Sequence, residues 1–186
     1  TNTVAVGGLA VGTSNQANGG GVTALAVGLG NISSGGFGVT LGVGNLSSAT
    51  SAISVGTANV ASGNTSLAMG RQTTASGQTS IALGNVSTAN QANAIAIGHS
   101  TQATATGAIA IGGGNNTAST NLDATAARAT AANAMALGTS ADALGTGSIA
   151  LGHNSNAADV DAIAIGRTAS AANEGDVAFG AGATAN

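Results

Sequence analysis

Asn85-Val86-Ser87-Thr88-Ala89-Asn90-Gln91-Ala92-Asn93-Ala94-Ile95-Ala96-Ile97-Gly98 is one turn of a sequence that repeats every fourteen residues. Its closing glycine recurs as Gly28, Gly42, Gly56, Gly70, Gly84, Gly98 and Gly112, then as Gly138, Gly152, Gly166 and Gly180. The tetrapeptides ending there read LAVG, VTLG, ISVG, LAMG, IALG, IAIG and IAIG, then MALG, IALG, IAIG and VAFG. A period this short, held through most of 186 residues, leaves no room for an ordinary globular topology and predicts a solenoid of near-identical coils.

Within the quoted turn, Ile95 and Ile97 alternate with Ala94 and Ala96, the period-2 pattern of a strand whose faces carry different side chains. A second column stands five residues after each glycine: Ala61, Ala75, Ala89, Ala103, Ala143, Ala157 and Ala171. Small and repeated, it suits a second short strand packed across a narrow interior, with Gly, Asn, Ser and Thr turning the chain between strands. Each strand then pairs in parallel with its copy one repeat away, and twelve to thirteen coils stack into a rod about 60 Å long.

Composition agrees with this reading. Ile, Leu, Val and Phe are only about a fifth of the residues, but charged residues are 5% and the aliphatics are regularly placed, so disorder is disfavoured. With no Cys there are neither disulfides nor thiolate metal sites. With no Pro, Trp, Tyr or Lys, nothing interrupts the ladder and no large ring fills a conventional core. A net charge of −3 and only Arg71, Arg128 and Arg167 as basic side chains argue against a phosphate-backbone surface, so nucleic acid is not an expected partner. No run of eighteen apolar residues occurs and the first residues lack a basic region, so neither a spanning helix, a signal peptide nor membrane contact is expected of this segment.

A coil of fourteen residues encloses little, while ordering it costs roughly 1–2 kcal/mol per residue in backbone entropy. A lone column of coils is therefore expected to be marginal and to self-associate. The aliphatic columns (Ile81, Ile95 and Ile109 with Leu83, Ile97 and Ile111) are expected to fill the interior. The column Ala68, Ala82, Ala96, Ala110, Ala136, Ala150 and Ala164 is then expected to meet another chain at short range.

The stretch Ala94-Ile95-Ala96-Ile97-Gly98-His99-Ser100-Thr101-Gln102-Ala103-Thr104-Ala105-Thr106-Gly107 resembles the fourteen-residue SVAIG-x-x-S-x-A-x-G-x-x unit of the YadA-like heads of trimeric autotransporter adhesins. The resemblance runs through essentially the whole chain. It implies a left-handed parallel β-roll assembled as a homotrimer. It also implies a Gram-negative outer-membrane surface protein that attaches cells to host matrix, host cells or one another. Collagen, fibronectin and laminin are the matrix partners the family suggests. Coiled-coil heptads, a neck and barrel strands are not seen, so anchoring is expected to come from a C-terminal region outside this chain.

The period is broken twice. Gly12 to Gly28 spans sixteen residues and carries Gly19-Gly20-Gly21; Gly112 to Gly138 spans twenty-six, with Ala124 in the place of a ladder glycine. About twelve residues near Gly113 to Asp123 are thus expected to form an inserted surface loop within a single domain of residues 1–186, because a solenoid accepts insertions at its turns.

Few residues offer chemistry. Arg71, His99, His153 and Arg167 each follow a ladder glycine and form one column, read as solvated turn residues and candidate ligand contacts; the two histidines are too far apart along the rod to share a metal within one chain. Asp159, Asp161, Glu174 and Asp176 concentrate acid, but no His or Lys completes a catalytic set and the Ca²⁺-binding nonapeptide is absent. Gly112-Gly113-Gly114-Asn115-Asn116 lacks the lysine of a phosphate loop. Neither enzyme activity nor any cofactor or metal is expected. Ice binding by ranked threonines is a poor fit, since the column three after the glycine reads Asn31, Asn45, Asn59, Thr73, Ser87 and Thr101. A spacer or stalk segment that presents another binding domain is the remaining alternative to an adhesive head.

Overall fold

The computed structural model describes residues 1–20, 23–114 and 125–186. They form a parallel β-solenoid in which every coil contributes one strand to each of two sheets. One sheet has thirteen two-residue strands, from Thr3–Val4 through Thr88–Ala89 to Thr184–Ala185. The other has twelve strands: five residues long from Leu9–Thr13 to Ile95–His99, three residues long from Ile109–Ile111 to Val177–Phe179. All pairing is parallel between consecutive coils and in register with the repeat, so that Ile81, Ala82, Leu83 and Gly84 lie beside Ile95, Ala96, Ile97 and Gly98.

Both breaks in the period are absorbed without a slip. Leu9 to Gly12 pair with Leu25 to Gly28 across the sixteen-residue coil. Ile109 to Ile111 pair with Met135 to Leu137 across the twenty-six-residue one, and Gln102 pairs with Arg128. Of the expected loop, Gly113 and Gly114 close the preceding coil, with the Gly114 N–H donating to the His99 carbonyl at 3.0 Å; residues 115–124 lie outside the described residues.

The interior reverses one expectation. Ala68, Ala82, Ala96, Ala110, Ala136, Ala150 and Ala164 are all 0% exposed within a single chain, in one cluster with Ala61, Ala75, Ala89, Ala103, Ala143, Ala157 and Ala171. These alanines fill the coil and present nothing to a second chain. Ile81, Leu83, Ile95, Ile97, Ile109 and Ile111 point outward and are half-buried. The reason is volume: two strands joined by tight turns stand too close for a branched side chain between them, so the interior accepts only Ala, Ser, Thr and Asn. Its largest fully buried side chains are asparagines, led by Asn15, Asn31, Asn45 and Asn59.

Those asparagines build the corner that follows each ladder glycine. The Asn45 side-chain amide donates to the Leu41 carbonyl at 3.0 Å, to the Gly56 carbonyl of the next coil at 2.7 Å and to Asn31 Oδ1 of the previous one at 3.0 Å. The pattern begins at Asn2, whose Oδ1 accepts the Asn15 N–H, and ends where the Thr73 hydroxyl and N–H both donate to Asn59 Oδ1. Beyond the inserted residues the same column holds Ala127, Ala141, Ser155, Ala169 and Ala183. There the glycine carbonyl accepts from a residue of its own turn instead, as in Ala141 N–H to Gly138 at 3.2 Å and Ala169 N–H to Gly166 at 3.2 Å. One corner is thus closed by two chemistries, a side-chain ladder in the first coils and a local backbone turn in the last.

The ladder glycines serve two needs together. Gly70 has φ +130, and a Cβ there would coincide with the Gly84 carbonyl oxygen one coil on.

Candidate interaction surface

The described residues enclose no pocket and bring no three metal-ligating side chains together. What they present is surface. With the small residues turned inward, each strand of the twelve-stranded sheet directs two large apolar side chains outward, in the columns Leu25–Val177 and Val27–Phe179. The face is about 55 Å long at the usual strand spacing. Met69, Leu151 and Phe179 are 42%, 41% and 77% exposed, and the remaining members are mostly half-buried by their own neighbours. A contiguous apolar strip of this length exceeds what a monomeric protein ordinarily leaves in water and marks an interaction face.

The polar candidates are scattered by comparison. Arg71 is exposed and lies in register between Thr57 and Asn85. His99 is half-buried beside Asn85, while His153 and Arg167 are exposed on adjacent coils of the same column. The structure therefore places the four in a line without gathering them into a site. The acidic residues hold turns: Asp159 accepts the Val160 N–H at 2.7 Å and Asp176 the Asn173 N–H at 2.9 Å. Arg128 and Asp142, on neighbouring coils, form a two-pronged ion pair with Nε–Oδ1 2.8 Å and Nη2–Oδ2 3.0 Å. The hydrogen bonds that Arg128 donates to Asp142 raise its pKa above the ordinary value against the opposing effect of burial.

Sequence reasoning assigned the two faces of the strand the wrong way round, although a signal was present. The alanine column admits only Ala, Ser and Thr in all coils, whereas its neighbours take Ile, Leu, Val, Met and Phe interchangeably. A column without size tolerance is an interior.

The fold and its surface define a fourteen-residue parallel β-solenoid with an apolar face, and the sequence comparisons specify which kind. The YadA head domain repeat model matches residues 47–73, 61–87, 75–101, 89–115, 129–155, 143–169 and 157–183, each match spanning two coils. The chain belongs to the YadA head family, the head repeats of trimeric autotransporter adhesins found on bacterial surfaces. No curated protein matches the chain.

Proposed function

We propose that the chain is the non-enzymatic head of a bacterial surface adhesin and works as a homotrimer. The observation that carries this is the aliphatic face of the twelve-stranded sheet, which the single chain cannot cover. Three chains set around a common axis, long sheets inward, would bury it along the whole rod and turn the thirteen-stranded sheets outward. Closing that face would add apolar burial, at roughly 25 cal/mol per Å², to what the thin alanine interior supplies. Trimerisation is thus retained as a proposal with its contact surface changed from the alanines to Ile95, Ile97 and their columns.

The outward sheets and turns, repeated on three chains, form a multivalent surface on which weak contacts sum through avidity. Arg71, His99, His153 and Arg167 are candidate contacts on it. Extracellular matrix proteins such as collagen, fibronectin or laminin are the partners this reading expects, with the head displayed at the bacterial surface. A solid-phase assay of the purified head on those three proteins and on host cells tests it. Saturable binding by the trimer supports adhesion; a folded trimer that binds none of them would reduce the head to a spacer.

A further inference from the structure

Between the coils closed by asparagine and those closed by their own backbone stand two corners with neither device. The column three residues after the ladder glycine runs from Asn59 through Thr73, Ser87 and Thr101 to Ala127. Thr73 still caps the asparagine ladder, but Ser87 and Thr101 do not continue it. Both are 0% exposed, and neither Ser87 Oγ nor Thr101 Oγ1 has a hydrogen-bond partner in the protein. Their N–H groups also lack the asparagine oxygen that accepts the Thr73 N–H, and among the described residues neither turns back on its own glycine as the Ala127 N–H does on Gly112, at 3.3 Å. Buried polar groups are seldom left in that condition. The backbone around them nevertheless keeps the form of the asparagine coils, with five-residue strands at Ile81–Asn85 and Ile95–His99. In an asparagine coil the Asn59 amide nitrogen lies 3.0 Å from where a Cβ on Gly56 would stand; beside Gly84 the three nearest atoms, out to 3.3 Å, all belong to the Gly98 backbone. The shorter Ser87 side chain stops short of the place that the amide fills.

We infer that these two corners are internal binding sites for water, one molecule at Ser87 and one at Thr101, each acting in place of an asparagine amide. At Ser87 the water accepts from the hydroxyl and donates to the Leu83 and Gly98 carbonyls, the counterparts of the Val55 and Gly70 carbonyls that Asn59 serves at 2.9 and 2.8 Å. At Thr101 the corresponding carbonyls are those of Ile97 and Gly112. Three partners are the usual complement of a buried water, and an amide group and a water molecule are of similar size. The chemistry of the corner selects the ligand. An N–H without an acceptor disfavours a cation, the carbonyls disfavour an anion, and water both accepts and donates. Nothing in this depends on the trimer or on adhesion. The two hydrated corners are the last before the inserted residues, and they join the coils closed by asparagine to the coils closed by their own backbone.

The sign of a substitution tests this. Ser87→Ala and Thr101→Val are made singly in the whole head and melted beside the wild type. A hydroxyl bonded to water is an interaction lost, so both variants should melt at a lower temperature; a dry, unpaired hydroxyl is a penalty removed, and both would then melt higher. Oxygen-17 relaxation dispersion reads the waters themselves, by counting those held long inside the protein. The double variant Ser87→Asn with Thr101→Asn, in which each side chain brings its own amide, should melt higher than the wild type and hold fewer long-lived waters, by one at each corner of every chain. Higher melting of Ser87→Ala and Thr101→Val, or an unchanged water count in the double asparagine variant, would overturn the inference. Should the double variant not fold, the two single melts decide between the wet and the dry corner.

Discussion

Asn45 addresses two donors to one acceptor: its backbone N–H and its side-chain amide both reach Oδ1 of Asn31, each at 3.0 Å. Asn59 treats Asn45 in the same way, at 3.1 and 2.9 Å. The buried column is therefore a chain of linked groups, and its members are expected to be strongly coupled. Asn45→Ala removes the amide bonds to the Leu41 and Gly56 carbonyls and leaves the Asn59 backbone N–H without its acceptor, at about 1–3 kcal/mol for each buried group left unpaired, so the loss should reach several kcal/mol. Replacing Asn31, Asn45 and Asn59 together by Ala should cost much less per site, because the corner can then close as it does at Ala141 and Ala169. Denaturant titrations of the single and triple variants check this, and strict additivity would contradict it.

The ladder glycine can be dissected at two positions. Gly70 combines φ +130 with a neighbouring carbonyl in the place of its Cβ; Gly180 has φ +121 but nothing within 4 Å of that place. Gly180→Ala should cost about 1–3 kcal/mol, the range for a disfavoured backbone conformation alone. Gly70→Ala should exceed about 4 kcal/mol or prevent folding, since two adjacent coils would have to part. Thermal melts that gave equal losses would mean close approach is not what selects glycine.

Thr65 offers a gain. It is exposed, β-branched and held at φ 58, in a column where the chain elsewhere uses Gly107, Gly147 and Gly175. Thr65→Gly relieves a left-handed conformation while loosening the unfolded chain, for a net stabilisation of about 0.5 kcal/mol. Thr65→Ala keeps the conformation and should bring no such gain. A lower midpoint for Thr65→Gly than for Thr65→Ala would refute this.

The Arg128–Asp142 pair bridges the first two coils beyond the inserted residues, and its side chains are 34% and 27% exposed. At that exposure Asp142→Asn should cost no more than about 1 kcal/mol, and less in high salt. The folded-state pKa of Arg128 is raised above its ordinary value, so the stability linked to its proton is complete below the unfolded guanidinium's range and is lost only in stronger alkali. The wild-type and Asp142→Asn melting curves should therefore differ by the same amount at pH 7 and pH 9. A gap that narrows between them would contradict that assignment.

The solenoid was legible because its evidence is periodic: the spacing of Gly84, Gly98 and Gly112 fixes register and direction of stacking together. The two interrupted coils were legible for the same reason, as departures from a count. Which face of the strand lies inside was not, since alternation shows that Ile95 and Ala96 face opposite ways without showing which way is inward. Hydrophobicity points to Ile95, and the narrowness of the coil decides for Ala96. The asparagine ladder was visible as the column Asn31, Asn45 and Asn59, but polar residues in a column read as a wet turn until the strands on either side show that the column is enclosed.

The central claim is that the aliphatic face is closed by two further copies of the chain. Sedimentation equilibrium of the purified head at low concentration, with far-UV circular dichroism confirming the sheets, tests it most directly. The account predicts a mass three times the 17.0 kDa of one chain, reduced to a single chain or to unfolded protein by Ile97→Asp on the aliphatic face. A wild-type head that sediments as a 17.0 kDa monomer with its sheets intact would contradict it.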